Sequence, residues 1–270
     1  MFLAAVVQLN CSSNSEGNWT AAEALIRRAA GFGAQLITTP ENANYLGPHA
    51  EKVRIAEPLS GPTLDRFATL TKELKVHLLV GSVNERSDDP QRCYNTSVLL
   101  GPNGQIIQSY RKMHLFDVDI SEDVRFLESN TTVSGDDLRV AETQLGVFGM
   151  SVCYDLRFPE LYRALVDRGA TMMMVPSAFT ASTGKDHWEV LLRARAIETQ
   201  SYVIAPAQHG LHDDNGLRNS YGHSMIVDPW GQVIATVSDG PGLALAEIDL
   251  DRVATVRRGM PIAAHRRLEG

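Results

Sequence analysis

Gly146-Val147-Phe148-Gly149-Met150-Ser151-Val152-Cys153-Tyr154-Asp155-Leu156-Arg157-Phe158-Pro159-Glu160 is the stretch on which the reading of this chain turns. An apolar run of strand length ends at a cysteine. A proline six residues later sits where a helix over 159–168 would begin, a position at which its missing N–H costs nothing. Strand, cysteine-bearing turn and helix together form a unit of an α/β fold.

The same alternation extends outward in both directions. Toward the N-terminus, residues 4–8, 35–38 and 77–81 read as short buried strands. Between them, 19–30 and 63–74 read as amphipathic helices, the first with Ala22, Leu25, Ile26 and Ala29 on one face. Toward the C-terminus, 171–175 and 202–205 read as strands on either side of a helix over 185–200. Two hairpins interrupt this rhythm. One pairs 96–100 with 105–110 about Gly101-Pro102-Asn103-Gly104, and the other pairs 224–227 with 233–237 about Asp228-Pro229-Trp230-Gly231. A last strand is expected near 244–248. Helical crossovers mixed with hairpins predict a mixed sheet, or two sheets covered by helices, since a plain doubly wound parallel sheet needs no hairpins. No linker or repeat divides the chain, so one domain over 1–270 is expected.

Composition narrows the function. With 44% apolar and 21% charged residues, the 270-residue chain can bury a sizeable core. A net charge of −7 and the lack of any Lys/Arg run longer than two argue against a nucleic-acid partner. No stretch approaches the ~20 apolar residues of a membrane span. The opening Met1-Phe2-Leu3-Ala4-Ala5-Val6-Val7 lacks a basic leader and is expected to be a strand, not a signal peptide. Cys11, Cys93 and Cys153 are too few and too scattered for a disulfide framework, which points to a reducing, cytoplasmic setting.

Three residues stand where strands end. Cys153 is expected at an exposed strand-to-helix turn, facing backbone N–H groups that would lower its pKa and could form an oxyanion pocket; the alternative is a small core hydrophobe. Glu41, after Ile37-Thr38-Thr39-Pro40, puts a carboxylate at the carboxyl end of a buried strand, where ligand sites of α/β sheets gather, or is a loop glutamate. Lys112, in Tyr110-Arg111-Lys112-Met113-His114-Leu115-Phe116, has a parallel position or is a solvated lysine. The 8 histidines offer no pattern that would pair one with a thiol or hold zinc. Gly31-Phe32-Gly33 precedes a strand and so is not a dinucleotide loop.

Taken together, Pro40-Glu41, the Tyr110 to Phe116 segment and Cys153-Tyr154-Asp155-Leu156-Arg157-Phe158-Pro159-Glu160 resemble the nitrilase superfamily of carbon–nitrogen hydrolases over nearly the whole chain. The resemblance implies a four-layer α-β-β-α sandwich, assembly as a homodimer or higher homo-oligomer, and hydrolysis of a small-molecule amide with no metal or organic cofactor. It also implies that Cys153 is the nucleophile and Glu41 the general base and acid. Lys112, with the backbone N–H of Tyr154, would stabilise the oxyanion. Glu128, in Phe126-Leu127-Glu128-Ser129-Asn130, matches the family's second glutamate and would orient Lys112.

Within the superfamily, Pro176-Ser177-Ala178-Phe179-Thr180, Ala207-Gln208-His209-Gly210 and Tyr221-Gly222-His223-Ser224 are most similar to the branch that cuts deaminated glutathione into 2-oxoglutarate and cysteinylglycine. The ω-amidase branch, acting on 2-oxoglutaramate, is the alternative. Both substrates carry an oxo-acid carboxylate. Arg157 is its expected partner, or else forms a structural ion pair with Glu160 or Asp155. Phe179 and Thr183 are expected pocket walls, and His187, Trp188 and Glu189 are expected in helix packing. A true nitrilase would be expected to carry Cys-Trp-Glu where this chain has Cys153-Tyr154-Asp155. A carbamoylase, or a silent binding protein that keeps the fold, is a further alternative.

Overall fold

The structure is a computed structural model that describes residues 1–121, 124–213 and 218–268; Glu269 and Gly270, where no function was expected, lie outside the described residues. The chain opens with β1 (Phe2–Gln8) and crosses through α1 (Ser15–Gly31) to β2 (Leu36–Thr38). It passes through α2 (His49–Arg54) and α3 (Pro62–Leu74) to β3 (His77–Arg86), then meanders through β4 (Cys93–Leu100) and β5 (Ile106–Arg111). A small hairpin follows, β6 (Asp117–Ser121) and β7 (Val124–Leu127). The second half runs β8 (Val140–Thr143), β9 (Gly146–Met150), α4 (Pro159–Asp167), β10 (Met172–Met174), α5 (Ala181–Thr199) and β11 (Tyr202–Ala205). A short pair, β12 (His209–Leu211) and β13 (Asn219–Tyr221), precedes β14 (Met225–Val227), β15 (Val233–Thr236) and β16 (Gly242–Ile248). The helices α6 (Leu250–Gly259) and α7 (Ile262–His265) end the described chain.

Two six-stranded mixed sheets result, ordered β16-β1-β2-β3-β4-β5 and β15-β14-β11-β10-β9-β8. The last strand therefore returns to the first sheet, where β16 pairs antiparallel with β1 from Phe2↔Ile248 to Gln8↔Gly242. The period-2 alternation of strand side chains sorts the first sheet into two cores. Ala4, Val6, Leu36, Leu79 and Leu99 join Phe148, Met150, Met172 and Met174 of the second sheet in one cluster. Their chain neighbours Ala5, Val7, Ile37, Leu78 and Leu100 pack with Ala22 and Ile26 of α1 and Leu64 and Phe67 of α3. On the second sheet, Gly149 has no side chain because Leu165 of α4 lies there; an added Cβ would meet it at 3.1 Å. Trp188, Leu192 and Ala196 bury one face of α5. The order is helix, sheet, sheet, helix, as the resemblance implied. Among the described residues no helix is long and apolar enough to cross a membrane.

The expected strands and helices are present, with informative differences. The strand expected over 77–81 runs on to Arg86, through a register shift between Val80 and Val83. The helix expected over 185–200 begins earlier, at Ala181. The β6–β7 hairpin, β8, the β12–β13 pair and α6 have no counterpart in the sequence expectation. The strands among these are short elements held by pairing and not by an apolar pattern, whereas α6 buries only Val253 and Val256.

Gly81 lies at that register shift. A Cβ there would fall 2.0 Å from the Thr39 carbonyl oxygen and 2.6 Å from both Pro40 C and Pro176 Cβ. Only a glycine lets β3 approach both the segment leading to Glu41 and the segment following β10. Gly81→Ala is therefore expected to cost roughly 1–3 kcal/mol through overpacking, about 2–4 °C of Tm per kcal/mol for a chain of this size. Thermal unfolding checks this, and an unchanged Tm would contradict the close approach.

Candidate active site

Glu41 follows β2 and is buried. Its Oε2 accepts from the Ala178 N–H at 2.8 Å, and its Oε1 accepts from Asn95 Nδ2 at 2.8 Å and from Lys112 Nζ at 3.0 Å. Gln208 Nε2 donates to its main-chain carbonyl at 2.9 Å, so both backbone and carboxylate are held. Lys112 leaves the end of β5, its side chain 2% exposed. Its N–H donates to the Asn95 carbonyl and its carbonyl accepts from Gly135 N, both at 2.8 Å. Glu128 opens a 3-10 turn after β7 and accepts from Lys112 Nζ at 2.8 Å and from Phe116 N at 2.7 Å. Asn95 Nδ2 also reaches Glu128 Oε1 at 3.3 Å, so one amide bridges the two carboxylates that flank the ammonium.

Cys153 comes from the other sheet. It begins a 3-10 turn, Cys153–Arg157, with φ 51°, a left-handed conformation that costs a non-glycine residue about 1–2 kcal/mol. Two supports hold it there. The Cys153 N–H donates to the Pro176 carbonyl at 2.9 Å, and Val152 N donates to Asp155 Oδ2 at 2.8 Å. Asp155 is fully buried and also accepts from Tyr110 OH at 2.8 Å, His114 N at 3.0 Å and His114 Nδ1 at 2.7 Å. Tyr110 and His114 flank Lys112, so this carboxylate ties the cysteine turn to the lysine segment.

The electrostatics follow from burial and from the order of charges. Burial acts to lower the Lys112 pKa, but Glu128 and Glu41 outweigh it and hold the ammonium well above its ordinary value. Burial would raise the Glu128 carboxyl; Lys112 and Lys52 dominate and bring it down to about 2. The Cys153 thiol is pushed well above its ordinary value by burial and by the Glu41 carboxylate, with Lys112 opposing. Two expectations are thereby corrected. The turn does not expose Cys153, which is 8% exposed. Nor is its pKa lowered, because desolvation and an adjacent carboxylate outweigh the ammonium and the backbone donors. Cys11 and Cys93 are buried too, the former raised to about 12 by burial, as suits small core residues.

Glu41, Lys112, Glu128 and Cys153 line one cleft, enclosing ≈ 700 Å³ with its open mouth included, together with Tyr154, Arg157, Phe179 and Thr183. All eight candidate residues thus meet. The Arg157 guanidinium lies 5.0 Å from the Phe179 ring centre and 5.9 Å from that of Tyr154, with Nη1 3.3 Å from His187 Nδ1. Among the described residues it forms no ion pair with Asp155 or Glu160, which removes the structural alternative for this arginine. Phe179 packs on Trp188 at 5.2 Å, and Thr183 Oγ1 lies 2.8 Å from Thr180 Oγ1. Among the described residues no group of three or more His, Cys, Asp or Glu is arranged to hold a metal ion.

Polar residues of the site outside the sequence expectation include Asn95, Asp155 as a support, and the cleft-lining His49, Lys52 and Arg218. Asn95 stands just before the strand expected over 96–100, between Tyr94 and Thr96, and no apolar pattern marked it. Lys52 and Arg218 carried no signal either.

The sign of the Cys153 shift is testable. Because the Glu41 carboxylate raises the thiol pKa, neutralising it should lower that pKa. The pH profile of iodoacetamide alkylation at Cys153, followed by mass spectrometry, is expected to move to lower pH in Glu41→Gln. A move to higher pH would mean that the carboxylate stabilises the thiolate.

Comparison with known proteins agrees with this geometry. The carbon-nitrogen hydrolase family model matches residues 3–258. The bovine (Bos taurus) deaminated glutathione amidase is 45% identical over 270 residues, covering 98% of this chain and 82% of the relative. The Synechocystis protein of the same name is 43% identical over 268 residues, covering 98% of each. Among solved structures, the Caenorhabditis elegans NitFhit protein superposes with a TM-score of 0.93 at 38% identity, covering 98% of this chain and 65% of that one. Saccharomyces cerevisiae Nit3, a member of branch 10 of the nitrilase superfamily, gives 0.87 at 31% identity, covering 99% and 97%.

Proposed function

The chain belongs to the carbon–nitrogen hydrolase family, and from that premise we propose that Glu41, Lys112 and Cys153 hydrolyse a linear amide through a thioester, with deaminated glutathione as the substrate. The observation that supports this most is the meeting of a buried ammonium held by two carboxylates with a buried thiol, brought from two different sheets into one cleft. Both curated amidases compared above bear the name of that activity, at 43–45% identity over nearly the whole chain.

The raised thiol pKa shapes the first step. Cys153 rests protonated, so Sγ attacks the amide carbon as its proton passes to Glu41. Lys112 has three N–H donors, two of them directed at Glu41 and Glu128, which leaves one for the oxyanion of the tetrahedral intermediate. The Tyr154 N–H is the second donor in this reading. When the intermediate collapses, the C–N bond breaks and Glu41 returns the proton to the departing nitrogen, a poor leaving group until protonated. Water then attacks the thioester carbon, its proton passing to Glu41. The C–S bond breaks and the sulfur regains a proton. The products are 2-oxoglutarate and cysteinylglycine. Glu128 keeps Lys112 charged throughout, and Arg157 is the partner for the oxo-acid carboxylate. Phe179 and Thr183 form the wall beside it.

Two properties of the whole molecule accompany this reading. Val190 and Ile197 of α5 and Trp230 of the β14–β15 turn are exposed apolar side chains, which supports pairing of two copies across the helix layer as a homodimer. Three free cysteines suit a cytoplasmic setting in which thiols stay reduced.

Turnover of deaminated glutathione against 2-oxoglutaramate, in wild type and Cys153→Ala, tests the function. The expected result is faster release of 2-oxoglutarate from deaminated glutathione and a loss of at least about a thousandfold in the variant. Preference for 2-oxoglutaramate would move the enzyme to ω-amidase activity, and full activity in Cys153→Ala would remove the nucleophile. Arg157→Lys is expected to raise KM for both oxo-acid amides roughly tenfold, since an ammonium cannot reproduce the planar fork.

A further inference from the structure

Among the described residues, four cations line the cleft, Lys52, Lys112, Arg157 and Arg218, against two carboxylates, Glu41 and Glu128. That is a formal excess of two positive charges, in a chain whose net charge is −7. A concave, positively charged site in an acidic protein selects anions. The two carboxylates are both committed to Lys112. Arg157 stands on the Cys153 turn, over Phe179. The other two cations form a separate group on a different part of the fold.

Lys52 lies on α2 and is 7% exposed, and its Nζ donates to the Thr132 hydroxyl at 2.7 Å. Among the described residues no carboxylate lies within ion-pair distance of it. Thr132 N donates to the Glu128 carbonyl at 2.9 Å, so Lys52 sits beside the Glu128 turn. Arg218 Nη2 donates to the Gly47 carbonyl at 2.8 Å, against the entry to α2, which places it next to Lys52. Burial, with Arg218 and Lys112, pushes the Lys52 ammonium below its ordinary value, against Cys93 and Glu128. A buried ammonium held by a hydroxyl gains strongly when a carboxylate enters.

The position of Lys52 relative to the chemistry decides which part of the substrate it meets. Glu41 delivers the proton to the departing nitrogen. Lys52 reaches the cleft from α2 beside the Glu128 turn, whereas Arg157, the partner for the oxo-acid carboxylate, stands on the Cys153 turn. Lys52 is thus the buried cation left for the other half of the substrate. We propose that Lys52, braced by Arg218, binds a carboxylate carried by the amine half of the substrate. The enzyme is thereby selective for secondary amides whose amine is an amino acid or short peptide with a free carboxyl end. This deepens the amidase reading above and rests on it.

The test compares deaminated glutathione with the same molecule whose glycine carboxyl is converted to a carboxamide. Both have the same oxo-acid end and the same scissile bond. Wild type is expected to favour the free acid by roughly 10- to 100-fold in kcat/KM, mostly through KM, the range of one charge-assisted hydrogen bond. In Lys52→Met that ratio is expected to fall to within about threefold of one. Arg218→Gln, read the same way, is expected to lower it partly. Equal turnover of the two compounds by wild type would overturn the proposal whether or not a variant folds. So would a ratio unchanged in Lys52→Met. Both outcomes leave the amidase reading intact, whereas failure of wild type to hydrolyse either compound would overturn the amidase reading and this proposal with it.

Discussion

The buried ammonium of Lys112, held between the carboxylates of Glu41 and Glu128, is the interaction on which the rest of the site depends. Three charges removed from water are tolerable only when each satisfies the others, and loss of one partner from such a set costs about 3–5 kcal/mol. That requirement brings three segments to one point: the turn after β2, the end of β5 and the turn after β7. Asn95 contributes the remaining donor between the two carboxylates, so their spacing is held by an uncharged group as well as by the lysine. The cost of burying these charges explains the main-chain N–H donors of Ala178 and Phe116 on the two carboxylates, and the Gln208 side-chain amide holds the Glu41 main-chain carbonyl.

The thiol enters this arrangement from the opposite sheet, and its state is set first by burial and then by the charge already there. Two carboxylates and one ammonium carry a net negative charge, so a thiolate beside them would add a second. Cys153 is therefore kept protonated and buried until a substrate carbonyl arrives and Glu41 can take its proton. This differs from cysteines whose pKa is lowered by a helix start or a neighbouring cation, which rest as thiolates. Asp155 makes the arrangement rigid, since one buried carboxylate bonds to the cysteine turn and to both residues flanking the lysine segment. The left-handed backbone of Cys153 is sustained by these bonds.

Much of this was legible from residues alone. Short apolar runs in β1, before Cys153 and after Thr171 revealed strands. The mixture of crossovers and hairpins indicated two covered sheets. The segments around Glu41, Lys112 and Cys153, each at a strand end, identified the family. Elements held by pairing instead of by an apolar face, such as β6–β7 and β12–β13, left little trace. The thiol was misread for a related reason. Its pKa depends on burial between two sheets and then on a carboxylate remote in sequence, and local turn geometry reports neither.

The sequence by itself determined which residue types stand at the ends of which strands, because period-2 and period-3.6 patterns and Gly/Pro punctuation are local properties of the chain. It thereby determined the fold class and the chemistry available. Only the tertiary structure decided how the charges meet: that Asn95 bridges two carboxylates, that Asp155 is a support, and that Lys52 and Arg218 share the cleft with Arg157. Those outcomes depend on which strand lies beside which and on what is removed from water when two sheets close on each other. Burial and distance between residues remote in sequence set electrostatic energies, and neither exists until the chain has folded.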